Sequence, residues 1–251
     1  MDPVRALAER LAAARRILVF TGAGISTGSG IPDFRGPNGV WKTREPVYYD
    51  EFLESAEKRI EYWEQKAEAH DLFANAKPNA THHAIVRLEA LGRVEAVVTQ
   101  NIDGLHQEAG TSLGKLVEVH GTRSFTECVR CRRRGDPAPA VAFFRANHAC
   151  PVCECGGWLK SATVSFGQPL DLGTVDRARR AAERADLVLA LGSTLSVYPA
   201  AQIPLIAAAR GTPYVIVNRG ETDHDGRATL RLEGDVVDIL PPAVVRIAPA
   251  A

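Results

Sequence analysis

Apolar and polar positions along the chain fall into two alternating textures. Short, continuous apolar runs stand at residues 16–21, 94–99, 116–120, 187–192, 214–218 and 228–232, each with the length and composition of a strand buried on both faces. Stretches with helical spacing lie between most of them, at 3–14, 81–91, 172–185 and 200–209, and the last two join strand to strand as crossover connections require. The rhythm predicts an α/β fold, a parallel sheet with helices on both faces. Right-handed crossovers then put the connecting loops at the carboxyl ends of the strands, where ligands collect.

Two segments break the rhythm. Residues 38–79 carry Trp41, Tyr48, Tyr49, Phe52, Tyr62, Trp63 and Phe73 among many charges, which predicts a small helical insert. Residues 122–160 hold every cysteine, the basic run 132–134, Pro137 and Pro139, which predicts a second insert organised by metal rather than by an apolar core. The expected division is a main domain from 1–37, 80–121 and 161–251, a helical insert at 38–79 and a zinc-binding module at 122–160.

Composition narrows the function classes. The 251 residues are 45% hydrophobic and 24% charged, enough to bury a core and too apolar for disorder. Thirty basic side chains balance thirty acidic ones, so nothing favours nucleic acid or an anionic membrane as partner. The Ala- and Arg-rich start contains Asp2 and Glu9 and runs straight into a strand, which predicts a helix rather than a transit peptide. Residues 187–209 lack charge, but Gly192, Ser193, Thr194, Ser196, Pro199, Gln202 and Pro204 interrupt them, so a strand, loop and helix are expected there and not a membrane span. A cytoplasmic protein is expected.

Five cysteines clustered between 128 and 155 are the wrong number and arrangement for a disulfide framework. Cys128-x2-Cys131 followed, after residues 132–149, by Cys150-x2-Cys153 has the spacing of a closed four-thiolate structural zinc site. Cys155 is an alternative to Cys153 as the fourth ligand, and His148 a more remote one. Cys153 is preferred, because Cys-Pro-x-Cys makes a tight knuckle.

After the first strand comes Gly22-Ala23-Gly24-Ile25-Ser26, then Ser29-Gly30-Ile31-Pro32-Asp33-Phe34-Arg35-Gly36. Gly22 and Gly24 permit a tight turn and let backbone N–H groups approach a pyrophosphate. Thr27 stands where a dinucleotide fingerprint has its third glycine, and no second strand ends in an acid some twenty residues on, so an ordinary nicotinamide dehydrogenase fits poorly. Pro-Asp-Phe-Arg-Gly is charged and aromatic where a structural turn needs neither.

This run resembles the signature of the sirtuins, NAD-dependent protein-lysine deacylases, of bacterial type. Thr99-Gln100-Asn101-Ile102-Asp103-Gly104-Leu105-His106 is similar to a second sirtuin segment, and the strand ending in His120-Gly121 to a third. The resemblance covers nearly the whole chain and implies a Rossmann-like NAD-binding domain with a helical insert and a zinc module. It also implies that the cysteines hold one structural Zn2+, with Cys128, Cys131, Cys150 and Cys153 as the expected set.

Site residues follow from the same resemblance. Gly22, Ala23, Gly24, Ser26, Asp33, Phe34, Arg35 and Trp41 belong to the NAD+ site, as do Gln100, Asn101, Ile102 and Asp103. Gly192, Ser193, Thr194 and Ser196 would meet ribose and phosphates; Asn218, Arg219 and Val236 would meet the adenosine end. Val164, Phe166 and Gly167 would pair with the substrate peptide by strand addition, which reads backbone rather than sequence. Gln168 replaces the usual acid of that segment. Seven histidines are present, and His120 stands out because it ends a predicted parallel strand and occupies the family's general-base position. His106 is expected to order its loop by hydrogen bonding.

The implied chemistry is displacement of nicotinamide from NAD+ by the acyl oxygen of a modified lysine, after which His120 activates a ribose hydroxyl and water completes the transfer. Free lysine, nicotinamide and O-acetyl-ADP-ribose would result. Sirtuins preferring succinyl or malonyl groups carry Tyr-x-x-Arg in the helical insert, whereas Tyr62-Trp63-Glu64-Gln65-Lys66 has no arginine three residues after the tyrosine, so an uncharged acyl group is expected. Mono-ADP-ribosyl transfer at the same NAD site is the alternative, since Gly36-Pro37-Asn38-Gly39-Val40-Trp41 is similar to a branch with weak deacetylase activity. A non-catalytic NAD or zinc scaffold is the least favoured reading.

Overall fold

The computed structural model describes residues 2–33, 39 and 44–248. Strands β1 (Ile17–Thr21), β2 (Val94–Thr99), β3 (Leu116–Glu118), β7 (Leu187–Leu191), β8 (Tyr214–Asn218) and β9 (Leu230–Glu233) form one parallel sheet in the order β3-β2-β1-β7-β8-β9. Every residue of β1 and β7 is buried, as their unbroken apolar runs require. One face is covered by α1 (Pro3–Ala13), α4 (Ala80–Ala90) and α9 (Val236–Ile247), whose Leu7, Leu11, Ile85 and Leu240 pack on Val19, Leu189 and Val215. On the other face α7 (Leu172–Arg184) and α8 (Gln202–Ala208) bring Ala178, Ala182, Ile203 and Ala207 against Phe20, Val188 and Ile216. The small residues on α7 let the helix lie close to the sheet.

From β1 the chain winds outward through β2 to β3, then returns to pair β7 on the opposite side of β1. That reversal puts a crevice at the carboxyl ends of β1 and β7, the place where open α/β sheets take ligands.

The apolar run expected to extend to residue 120 ends as a strand at Glu118. At Gly121 (φ +71°) the chain turns out of the large sheet; a Cβ there would lie 2.2 Å from Ala162 O, so only glycine fits. Strand β4 (Gly121–Cys128) then pairs antiparallel with β6 (Leu159–Thr163) and β5 (Arg134–Gly135), giving a second sheet in the order β5-β4-β6. His120 therefore occupies the joint between the two sheets.

The expectation that metal alone organises the second insert is corrected by its packing. Helix α6 (Pro137–Asn147) contributes Ala140, Val141 and Phe144 to one buried cluster with Val47, with Phe52 of α2 (Tyr49–Glu54), and with Tyr62, Trp63 and Ala67 of α3 (Ala56–Asn75). The two inserts thus share a core. Three residues on one face of α3 also grip β6 and its approach: Trp63 Nε1 donates to Leu159 O (3.0 Å), Tyr62 Oη accepts from Ser161 N (3.2 Å), and the Arg59 guanidinium lies 4.2 Å over the Trp158 ring. Among the described residues no helix is long and apolar enough to cross a membrane.

Candidate active site and cysteine centre

The glycine loop and the loop after β7 meet at the crevice. Gly22 N–H donates to Leu191 O (3.0 Å) and Gly24 N–H to Gly192 O (2.8 Å). Both glycine N–H groups are therefore taken by β7 and its extension and are not themselves offered to a ligand. The glycines are needed for closeness instead: a Cβ on Gly22 would come within 2.7 Å of Gly192 O and of Ser193 Cβ. Ala23 opens the short helical turn Ala23–Ile25, and the loop is held from behind by Asn79, whose Nδ2 donates to Ile25 O (2.8 Å) and Ser29 Oγ (2.9 Å). Asn79 was not singled out in the sequence, although its place as N-cap of α4 was a readable signal.

The segment after β2 supplies a connected set of polar groups. Asn101 Nδ2 donates to Gly22 O (3.1 Å) and Ser26 Oγ (3.2 Å), and Ser26 Oγ donates to Asp103 Oδ2 (2.8 Å). Asp103 Oδ1 accepts from Leu105 N (2.9 Å). Burial raises the Asp103 carboxyl above its ordinary value, and the bonds from Leu105 and Ser26 oppose that rise. Gln100 Nε2 reaches across the crevice to Ser193 Oγ (2.8 Å). Ile102 is half-buried, with its carbonyl accepting from Arg123 N (3.0 Å).

His120 Nδ1 lies 3.1 Å from Gln100 O. A carbonyl only accepts, so Nδ1 carries the proton and Nε2 the lone pair that a general base requires. His120 O accepts from Val164 N (2.8 Å), which ties the histidine to the segment after β6. There Gln168 N donates to Ser165 O (3.0 Å) and Gln168 Oε1 accepts from Ser165 N (3.2 Å), closing a turn around Phe166 and Gly167. Phe166 O accepts from Tyr49 N (2.9 Å), so the helical insert also anchors this turn.

Thr194 and Ser196 share a hydroxyl bond (2.8 Å), and Thr194 O accepts from Asp223 N (3.0 Å). At the far end Asn218 closes β8, Arg219 pairs with Asp235, and Val236 is buried as the first residue of α9. The structure thus places Gly22, Ala23, Gly24, Ser26, Gln100, Asn101, Ile102, Asp103, Gly192, Ser193, Thr194, Ser196, Asn218 and His120 along the carboxyl edge of one sheet. Asp33 is half-buried at the end of the described part of its loop. Phe34, Arg35 and Trp41 lie outside the described residues.

The cysteine centre differs from the expected set. The Sγ atoms of Cys128, Cys131, Cys153 and Cys155 all lie within 4.8 Å of one another, with Cys128–Cys155 at 3.5 Å and Cys131–Cys153 at 3.7 Å. Four thiolates 2.3 Å from a tetrahedral zinc would be about 3.8 Å apart, so these donors fit the ion. Cys150 is the residue left out, its Sγ turned toward Pro151 O (3.5 Å) and Leu159 O (3.8 Å) at the edge of the shared core. A tight turn causes the change: Gly156 N donates to Cys153 O (2.8 Å), and Gly156 at φ +79° curls Cys155 back onto Cys128. Gly157 completes it, because a Cβ there would be 2.7 Å from Cys128 Sγ. Burial pushes the Cys150 thiol up to about 11, whereas at Cys128 burial is outweighed by the Cys131 and Arg130 N–H groups, which bring the thiol down to about 6.

Comparison with known proteins is consistent with this geometry. The Sir2 family model matches residues 22–199. An NAD-dependent protein deacetylase of Rhodopseudomonas palustris is 40% identical over 242 residues, 96% of each chain, and one of Haloarcula marismortui is 39% identical over 252 residues, covering 98% of this chain and 95% of the other. Among solved structures, a Sir2–p53 peptide–NAD+ complex superposes with a TM-score of 0.87 at 37% identity over 97% of both chains. A Sir2 variant with deacetylated p53 peptide and 3'-O-acetyl-ADP-ribose gives 0.88 at 36% identity over 99% of both.

Proposed function

The chain belongs to the Sir2 family, and on that premise we propose that it is an NAD-dependent protein-lysine deacetylase releasing nicotinamide and O-acetyl-ADP-ribose. The observation that carries the reading is the His120–Gln100 bond of 3.1 Å, which fixes a base-competent imidazole at the joint between the two sheets. NAD+ would supply the ribose that accepts the acyl group and the nicotinamide that leaves.

This chain's own residues then divide the work. Asn101 and Asp103 hold the nicotinamide amide and ribose, oriented by Ser26, which bonds both. The loop of Gly22, Ala23 and Gly24 on one side, and Gly192, Ser193, Thr194 and Ser196 on the other, flank the phosphates and the second ribose, the glycines by their lack of bulk and not by their N–H groups. Asn218, Arg219 and Val236 take the adenosine end. Asp33, Gln100 and Ile102 complete the site; the motif resemblance assigns Phe34, Arg35 and Trp41 to NAD+ as well, with Phe34 as the residue that would shield the reaction from water. His120 Nε2 accepts the proton of a ribose hydroxyl. Val164, Phe166 and Gly167 present backbone to an acyl-lysine peptide, which reads the substrate by strand addition. Cys128, Cys131, Cys153 and Cys155 hold one Zn2+; four thiolates fill its shell, so it supports the fold and takes no part in the reaction.

An acetyl or other uncharged acyl group suits the helical insert, in which Tyr62 Oη is engaged by Ser161 N (3.2 Å) and no arginine follows three residues later. We assign 1–37, 80–121 and 161–251 to the NAD-binding domain, 38–79 to the helical insert and 122–160 to the zinc module, in a cytoplasmic protein acting on other proteins.

Incubation of the purified protein with NAD+ and an acetyl-lysine peptide, followed by mass spectrometry, tests the reading. Deacetylated peptide with O-acetyl-ADP-ribose is expected, and His120→Ala should abolish both. ADP-ribose found attached to protein with the acetyl group still on the peptide would establish the transferase alternative.

A further inference from the structure

Among the described residues, the buried side-chain atoms without a hydrogen-bond partner are concentrated in one place: Thr81 Oγ1, His82 Nε2, His106 Nδ1, Gln107 Oε1 and Thr111 Oγ1. All lie on α4, on α5 (Leu105–Ala109) or two residues beyond it. Buried polar atoms in folded proteins are almost always paired, either with protein groups or with ordered water.

The two histidines at the centre have complementary needs. His82 and His106 are 0% and 2% exposed, and their rings stand edge to face with centroids 5.2 Å apart. His82 Nδ1 accepts from Asn79 N (3.3 Å), so its proton sits on the orphaned Nε2, which is a donor. Thr21 Oγ1 gives its proton to Thr99 Oγ1 (2.8 Å) and can only accept from His106 Nε2 (3.0 Å), so the orphaned His106 Nδ1 is an acceptor. Burial, aggravated by the charge each would acquire beside a neighbouring histidine, holds both imidazoles neutral, with values down to about 4 and about 3. The end of the line is Thr99 Oγ1, which also accepts from Asn101 N (3.0 Å).

We propose that one internal water joins His82 Nε2–H to His106 Nδ1, completing a one-way donor chain from the α4 N-cap through both imidazoles, Thr21 and Thr99, and that His106 is thereby a positioning residue for Asn101. The water accepts from His82 and donates to His106, and every hydrogen in the chain then points toward Thr99. A fixed Thr99 hydroxyl holds the Asn101 backbone, and with it the side chain that bonds Gly22 and Ser26. The consequence for catalysis rests on the deacetylase reading; the hydrogen-bond chain itself does not.

Two measurements test it separately. In 15N NMR of the wild-type protein, His82 and His106 should both appear as neutral Nε2–H tautomers with slowly exchanging protons; a His106 carrying its proton on Nδ1 would overturn the chain whatever the enzyme does. In kinetics, His106→Leu should raise KM for NAD+ about tenfold with the acetyl-peptide KM unchanged. His106→Gln, which keeps a donor toward Thr21, should recover most of that loss. Equal losses in both variants, or a fall in kcat alone, would overturn the positioning role.

Discussion

Gly24 and Gly192 touch backbone to backbone: a Cβ on Gly24 would lie 2.8 Å from Gly192 Cα, and one on Gly192 would lie 2.6 Å from Ile25 N. Gly192 also has φ +58°, in the left-handed region. Gly192→Ala adds both overlap and strain, so a loss of about 2–3 kcal/mol is expected in urea denaturation. NAD+ affinity should fall with it, measured by calorimetry. Unchanged stability would mean that the two loops are not locked together in solution.

The cysteine centre gives a clean contrast. Cys155→Ser should lower the zinc content well below one ion per chain, whereas Cys150→Ser should leave it intact, as read by elemental analysis of chelator-washed protein. The opposite pattern would restore Cys150 to the ligand set. Loss of metal should not release α6 completely, because Phe144 and Val141 remain packed on α3.

Arg59 links the inserts from the other side. Its Nη1 donates to Phe52 O and Leu53 O, both at 3.0 Å, while the guanidinium covers the Trp158 ring. Arg59→Ala leaves those carbonyls and that ring face without their cation, a loss of about 2–4 kcal/mol. Zinc should also leave faster under chelator, since Trp158 adjoins Gly157 at the thiolate turn. A stability loss with an unchanged release rate would show that the coupling does not reach the metal.

Acid should weaken the fold through the same buried histidines. His82 and His106 stay neutral when folded down to about 4 and about 3, but take protons near 6.5 once unfolded. Between those limits the unfolded chain binds more protons, so stability falls as pH drops below about 6.5, by about 1.4 kcal/mol per pH unit for each imidazole. Above pH 7 neither contributes a slope. Denaturation of the wild type and of His82→Gln at a series of pH values checks this, and the variant should show the shallower decline.

Much of this was legible in the sequence because it rests on local pattern. The wholly apolar runs at β1 and β7 could only be strands of a two-faced sheet, and the alternation of elements fixed their parallel sense. Gly22 and Gly24 were legible as special, but not the reason, which lies in a loop some 170 residues away that no local pattern connects to them. Cys150 failed for a related cause: C-x2-C spacing cannot see that Gly156 reverses the chain and brings Cys155 inward. His82 falls within the helical spacing of 81–91, which reveals no partner for it, and only the fold sets it edge to face with His106.

The common core of Phe52, Tyr62, Trp63, Val141 and Phe144 also limits how this enzyme can be re-engineered. The helical insert, a contiguous stretch in the sequence, supplies Phe52, Tyr62, Trp63 and Ala67 to the cluster that α6 packs into. A graft of that segment alone from a relative would meet a mismatched α6 face. Transplanting the helical and cysteine-bearing segments together preserves the fit, so the unit of exchange is discontinuous in sequence although continuous in space.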